Sequence, residues 1–266
     1  MPLAGPPASA RVVLGDLLPA AERFAALLAG PGVERGVIGP AEAARIWDRH
    51  ILNCAVVAEL VPDQCVLADL GSGAGLPGIV LALLRPQAEV LLIESLARRV
   101  AFLDECVAEL GLTHVRVLRG RAEDLAGEVR ADIVTARAVA PLGRLAGWAI
   151  GLCRPGGTVL AIKGASAAAE LTAAAADLRR LGATGQAVLQ VGSGIVDPPA
   201  TVVRFMAPRQ ARAAASRDSR RGSRGQDRPG SGPGAPGSRS GGRARQGRSG
   251  AQRPRGGKSG PRPGGS

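Results

Sequence analysis

Asp69, Leu70, Gly71, Ser72, Gly73, Ala74, Gly75, Leu76, Pro77 and Gly78 place one acid and four glycines within ten residues. The apolar run Cys65 to Leu70 reads as a buried strand, and the run after Gly78 as a helix. A strand that opens through glycines into a helix is where a doubly wound sheet holds a nucleotide-containing cofactor, because glycines allow backbone conformations and close approaches that side chains forbid. Gly73 to Gly78 alone satisfies G-x-G-x-x-G, so hydride transfer with a nicotinamide cofactor is one chemistry the run allows. Glu94 closes the next strand-like run, Glu89 to Glu94, where a carboxylate can accept hydrogen bonds from both ribose hydroxyls of an adenosine. NAD and S-adenosylmethionine sites share that feature, and a solvated acid at a strand end is the plain alternative.

Three further features point to the sulfonium cofactor. Asp69 stands two residues before the first glycine, where S-adenosylmethionine enzymes usually carry an acid. Leu152, Cys153, Arg154, Pro155, Gly156, Gly157 and Thr158 look like the turn those enzymes place before their fifth strand. The chain also closes on two strand-like runs with no helix between them. Loop and turn both occur as generic α/β turns, so the nicotinamide reading stays open at this level.

The elements that must position these groups follow from apolar periodicity. Strands are expected at Cys65 to Leu70, Glu89 to Glu94, Val115 to Arg119, Ala131 to Ala136, Thr158 to Lys163, Ala187 to Val191 and Thr201 to Met206. Between the second and third, Leu96, Val100, Leu103, Val107 and Leu110 mark a helix face. Such alternation predicts an α/β fold, a mostly parallel seven-stranded sheet covered by helices on both sides. The short Gly/Asp/Pro-rich link from Gly192 to Pro199 makes the last two strands an antiparallel hairpin. Upstream, Leu14, Leu17, Leu18, Ala21, Phe24, Ala25 and Leu28 share one helical face that ends near Gly30, Pro31 and Gly32. A second helix over Pro40 to Leu60 carries Trp47, Ile51, Cys54, Ala58 and Val61 as a stripe, with His50 and Asn53 on its edge. The expected organisation is a flexible N-terminus over 1–10, a helical cap over 11–62, a cofactor domain over 63–207 and a tail over 208–266.

Charge separates the tail from the rest. The chain carries 34 Lys and Arg against 22 Asp and Glu. Residues 208–266 hold fifteen basic and two acidic side chains, a charge of +13, which leaves 19 basic and 20 acidic, or −1, for residues 1–207. After Met206 there is no Leu, Ile, Val, Phe or Trp, so the tail is expected to be disordered. Arginines scattered through glycine, such as Arg220, Arg221 and Arg224, suit nonspecific contact with RNA phosphates; compositional bias is the alternative, with only two lysines in the chain. The four cysteines, at 54, 65, 106 and 153, lack the spacing of a zinc or redox pair and read as thiols in a reducing compartment. Met1 to Ala10 does not read as a secretory signal, lacking a basic region followed by a long apolar one, and the apolar stretch Leu70 to Leu84 is broken by glycines and Pro77. A membrane-embedded protein is excluded, and a cytoplasmic location is expected.

The run from Asp69 to Gly78, followed by Glu94, Ser95, Leu96, Ala97, Arg98 and Arg99, resembles the bacterial 16S rRNA guanine-527 N7-methyltransferase family, also called glucose-inhibited division protein B. Further matches come in order: Arg49-His50-Ile51-Leu52, Arg121-Ala122-Glu123-Asp124, Arg137-Ala138 and Lys163-Gly164, so that the resemblance spans about 12–207. It departs where the family often has Asp-Ser and this chain has Asn53-Cys54, and where Asn-Leu-Thr is replaced by Gly36-Val37-Ile38. The resemblance implies a Rossmann-like class I methyltransferase that uses S-adenosylmethionine and acts on 16S rRNA or the small ribosomal subunit, most simply as a monomer. It also implies cofactor contacts at Gly71, Gly73, Leu76, Ala122, Glu123 and Arg137; Glu94 joins them from the ribose argument.

Guanine N7 has a lone pair and no proton, so its methylation requires alignment but no general base. The chain is consistent with this: it has no Tyr, two His and no Pro-Cys pair. No catalytic acid–base residue and no metal is expected; Arg137 is the orienting group, with a structural ion pair as its alternative. Arg49, His50 and Lys163 are the candidate substrate contacts, although His50 also fits a helix-packing role. Asp197, Pro198, Pro199 and Ala200 partly echo an amino-methylation motif but are read as a turn remote from the fourth strand's end. Phe24, Trp47, Phe102, Trp148 and Phe205 fall mostly on expected core faces, which favours recognition of RNA shape and phosphates. Two other readings stand beside this one: an idle RNA-binding or assembly factor that keeps the fold, and a nicotinamide-dependent oxidoreductase.

Overall fold

Strand β1 (Val66–Leu70) is buried at four of its five residues, as a central strand covered on both faces must be. The computed structural model describes residues 4–210, and in it β1 lies in the middle of a seven-stranded sheet of order β3-β2-β1-β4-β5-β7-β6. The remaining strands are β2 (Glu89–Glu94), β3 (Val115–Arg119), β4 (Ala131–Arg137), β5 (Cys153–Lys163), β6 (Thr184–Val191) and β7 (Ala200–Met206). The first five pair in parallel, while β7 runs antiparallel to both β5 and β6. The expected closing hairpin is therefore present, with its second strand inserted next to β5. Because β1 has β2 on one side and β4 on the other, the strand order reverses beside β1, and a crevice opens there at the carboxyl ends of the strands.

Alternation along the strands divides the core. Leu67, Val90 and Leu92 face one layer with Phe24, Trp47, Ile51 and Phe102. Ala68, Leu70, Leu91 and Ile93 face the other, packing against Leu142, Leu145 and Ala149 of α6 (Leu142–Leu152). The first layer includes α4 (Gly78–Leu84) and α5 (Ala97–Glu109). Leu96, expected to lead the buried face of α5, is 47% exposed; its N–H is tied to Glu94 Oε1 at 2.9 Å, ahead of the first helical turn. Beyond β5 lie α7 (Ala167–Ala173) and α8 (Ala175–Leu181). The turn expected over 152–158 is absorbed into β5 as a bulge: Ala131 pairs with Cys153 and Ile133 with Thr158.

The cap starts with α1 (Ala8–Leu14), three residues ahead of the expected boundary at 11. Trp47 Nε1 donates to the Ala4 carbonyl at 3.0 Å and holds this end. Gly15, at φ +50°, breaks the predicted single helix before α2 (Leu18–Leu27). The helical run over 40–60 changes winding along its length: 3₁₀ at Pro40–Arg45, π at Ile46–Leu52, one α turn as α3 (Asn53–Ala55), then 3₁₀ at Val56–Leu60. All five residues of its predicted stripe are buried, and so is His50. The tail expected over 208–266 lies outside the described residues from 211 onward. Pro208 still belongs to the fold, its carbonyl accepting the Gly156 N–H at 3.2 Å.

Candidate active site

The glycine turn is built on Asp69. Register places Asp69 opposite Thr135 of β4, whose hydroxyl donates to Asp69 Oδ1 at 2.9 Å. The Gly78 N–H at the start of α4 donates to Oδ2 at 3.0 Å. Asp69 is fully buried, and burial raises its carboxyl to about 6 against the opposing hydrogen bonds from Thr135, Gly78 and Ser72. The acid therefore ties the turn together from behind. A Cβ on Gly78 would lie 2.3 Å from Leu92 Cδ2 and 2.7 Å from Asp69 Oδ2, so only glycine fits. Gly71, at φ +70°, is likewise required, since its Cβ would lie 2.8 Å from Val139 Cγ2.

Glu94, 4% exposed, is not a solvated strand-end acid. Its Oε1 accepts the N–H groups of Ser95 at 2.8 Å and Leu96 at 2.9 Å, and its Oε2 accepts that of Gly73 at 3.1 Å. A carboxylate has about four acceptor sites, and these three backbone bonds take most of them. Two looser contacts remain, Ser95 Oγ at 3.4 Å and Arg99 Nη1 at 3.5 Å. In front of Glu94 lies a cavity of about 310 Å³ lined by Leu70, Gly71, Ile93, Ala122, Glu123, Val139 and Trp148, among others. Apolar walls beside one buried carboxylate and a glycine floor fit the base and ribose of an adenosine cofactor. Gly73 acts from behind through Glu94, whereas Leu76 is 9% exposed and packs into the core without lining this cavity. Trp148 packs half-buried against the core and also stands at the cavity wall; the helical periodicity of α6 could not show that its face ends at the crevice.

A second, larger cavity of about 760 Å³ opens beside the first, lined by Arg45, Arg49, Asn53, Arg137, Lys163 and Asp197 among others. Residues 137–139 pass from one to the other: Arg137 and Ala138 line the second, and Val139 the first. Ala138 has φ +54°, a left-handed conformation rare outside glycine, at this junction. Asp197, Pro198 and Pro199 also line the second cavity, which corrects their expected remoteness from β4. The link between β6 and β7 reaches back over the strand ends because β7 is inserted next to β5.

Among the described residues Arg137 makes no carboxylate pair. Its Nη1 donates to Cys54 Sγ at 3.2 Å, and its Nη2 to the Arg49 carbonyl at 3.2 Å and His50 Nδ1 at 2.8 Å. His50 lies behind Arg137, lines neither cavity, and meets Glu42 Oε2 through Nε2 at 2.7 Å. Burial and then the Arg137 charge lower the His50 pKa. Burial raises that of Cys54 despite Arg137, so the thiol stays neutral. Lys163 Nζ is held by Glu170 Oε2 at 2.8 Å and the Ala140 carbonyl at 3.0 Å, leaving one of its three donors uncommitted in these contacts. Among the described residues no group of three His, Cys, Asp or Glu side chains could hold a metal, and no helix is long and apolar enough to cross a membrane.

A parallel sheet with a glycine turn, an acid at the end of β2 and an antiparallel closing strand defines a Rossmann-like methyltransferase. The fold is shared with a solved Pyrococcus protein, P. horikoshii TYW2 in complex with MeSAdo, at TM-score 0.50 and 14% identity, covering 60% of this chain and 63% of that one. The family described as rRNA small subunit methyltransferase G matches residues 17–196. "Ribosomal RNA small subunit methyltransferase G" of Thermobifida fusca is 56% identical over 199 residues, 75% of this chain and 84% of that protein. Its counterpart in Salinispora arenicola is 51% identical over 227 residues, 80% of this chain and 94% of that protein. The chain belongs to the rRNA small subunit methyltransferase G family and is an S-adenosylmethionine-dependent methyltransferase; the nicotinamide reading falls away.

Proposed function

We propose that this chain methylates N7 of one guanine in small-subunit 16S ribosomal RNA, at position 527 as the family resemblance implies. The observation that carries the reading is the pair of cavities lined by the consecutive residues 137–139, one floored by the glycine turn and Glu94, the other open and rimmed by Arg45, Arg49 and Lys163. S-adenosylmethionine supplies a methyl group on a sulfonium centre. Gly71, Glu94, Ala122 and Glu123 would hold the adenosine portion, and Glu94, whose contacts to Ser95 Oγ and Arg99 are loose, would accept from the ribose hydroxyls. Gly73 and Leu76 keep the turn in shape. Arg137, with Nε–H and one Nη1–H free of the contacts described above, orients the reacting groups from the wall between the cavities.

Guanine N7 carries no proton to remove, so this reading gives no base role to Asp48, Glu170 or Asp197, the carboxylates that line the second cavity. The nearest imidazole is turned away behind Arg137, and the Cys54 thiol stays protonated. Arg49, Lys163 and the tail arginines supply phosphate contacts, which makes binding salt-dependent. Free cysteines and a ribosomal substrate suit the cytoplasm, and one chain contains both cavities, so a monomer suffices.

The test is incubation with labelled S-adenosylmethionine and unmodified small-subunit RNA or particles, followed by cleavage mapping of 7-methylguanine. Label at one guanine N7 supports the reading. Cofactor binding with no label on any form of the RNA would favour an idle RNA-binding relative. Shortening the chain to residues 1–210 should weaken RNA binding and flatten its salt dependence; an unchanged salt slope would remove the tail from the account.

A further inference from the structure

The three groups that hold Arg137 from the cap side are all neutral: a thiol, a backbone carbonyl and an imidazole nitrogen. The shortest of these contacts, 2.8 Å, is to His50 Nδ1. A guanidinium can only donate, so Nδ1 must present its lone pair and the ring proton must lie on Nε2. There it faces Glu42 Oε2 at 2.7 Å. Glu42 sits on the 3₁₀ stretch Pro40–Arg45, His50 on the π-wound stretch Ile46–Leu52, and Arg137 at the end of β4. A chain of hydrogen bonds thus runs from the rim of the cap to the wall between the two cavities.

We propose that Glu42 and His50 are positioning residues for methyl transfer: Glu42 keeps the imidazole proton on Nε2, and the Nδ1 lone pair holds Arg137 in place. The inference rests on the orienting role of Arg137 given above. It turns His50 from a candidate substrate contact into a group that acts through Arg137, and it gives Glu42 a role that no sequence motif suggests. The winding supports it. The π-wound stretch delivers both the Arg49 carbonyl and the His50 ring to one guanidinium, and Cys54, four residues after His50, adds the third contact.

Protonation breaks the chain, because imidazolium would present an N–H to the guanidinium. The charged groups acting on His50 are Glu42 from the 3₁₀ stretch, Arg137 from β4 and Arg49 from its own turn. Burial and the two arginines oppose protonation, and Glu42 favours it. The contact is therefore intact at neutral pH and is lost on acidification below the usual histidine range.

Two amide replacements separate positioning from packing, since each removes the ring. In His50→Asn the side-chain oxygen lies near the place of Nδ1 and accepts from Arg137 without titrating. In His50→Gln the longer side chain carries its amide toward Glu42 and leaves Arg137 without that acceptor. The experiment measures kcat and KM for labelled methyl transfer to unmodified small-subunit particles from pH 5 to 8.5, with thermal unfolding alongside. His50→Gln and Glu42→Ala should lower kcat by about tenfold or more with KM for the cofactor little changed. Glu42→Gln, which still accepts from Nε2, and His50→Asn should recover most of that loss, and the His50→Asn profile should lack the acid limb of the wild type. Equal kcat for His50→Asn and His50→Gln, or losses that only follow thermal stability, would overturn the proposal. A fully active Arg137→Ala would overturn it through the orienting role itself, whereas an inactive Arg137→Ala beside fully active Glu42→Ala and His50→Gln would overturn the relay alone.

Discussion

Replacing Asp69 with asparagine should stabilise the protein at neutral pH, although Asp69 is the acid of the glycine-turn motif. In the fold its carboxyl is raised from 3.8 to about 6, chiefly by burial, so the folded chain keeps a proton that the unfolded chain releases. Stability contributed by this group is complete at low pH and declines as pH rises from about 4 to about 6. At about 1.36 kcal/mol per pKa unit, the shift amounts to about 3 kcal/mol of destabilisation above that window. Asparagine has no proton to lose; its carbonyl can accept from Gly78 and its amide can donate to the Thr135 oxygen. The Thr135 hydroxyl proton then lacks its acceptor, which costs about 1 kcal/mol and leaves a net gain of about 2 kcal/mol at pH 8. Urea unfolding of both proteins at pH 5 and pH 8 tests this, because the difference between them cancels every other titrating group. The gap should widen in favour of asparagine by about 1.4 kcal/mol between the two pH values. A gap that is constant with pH, or that moves the other way, would refute the assignment of a raised carboxyl at the base of the turn.

Gly78→Ala should destabilise the fold by about 2–4 kcal/mol, since the added methyl would overlap the Leu92 methyl and the Asp69 carboxyl, both fully buried and the latter held by Thr135; an unshifted urea midpoint would show that the turn can relax. Glu94→Gln puts an N–H donor among the backbone N–H groups of Gly73, Ser95 and Leu96, and calorimetry should show S-adenosylmethionine affinity falling by about tenfold or more. Arg137→Ala should remove methyl transfer while circular dichroism and the melting temperature stay near wild type, and near-normal turnover would contradict the orienting role. Ala138→Gly should relieve the left-handed strain and raise stability by up to about 1 kcal/mol, measurable as a higher urea midpoint.

Strand positions were readable because an inner strand is apolar at consecutive residues and an edge strand alternates: inner Glu89–Glu94 carries Val90 to Ile93 unbroken, edge Val115–Arg119 sets Arg116 between Val115 and Val117, and both agree with the expected bounds residue for residue. The closing hairpin was readable because the link from Gly192 to Pro199 is too short for a crossover. Helices of the cap were less so. The 40–60 run has one apolar period, yet its winding changes three times, and nothing in the residues before packing distinguishes 3₁₀ from α from π. Gly71, Glu94, Ala122 and Glu123 line one cavity, whereas Leu76 is turned into the core and Arg137 lines the neighbouring cavity.

The class of fold, the glycine turn and the charge division between body and tail are all legible in the order of residues. Each depends on local spacing, on the steric freedom of glycine or on a sum of charges, and these are properties of residues close together in the chain. What Asp69, His50 and Glu42 face depends instead on how distant segments pack. Asp69 meets Thr135 across the β1–β4 register, 66 positions away, and His50 meets Arg137 over 87 positions. Which side of a polar residue finds a partner is settled when distant elements pack and every buried donor must find an acceptor, a condition that no local pattern contains.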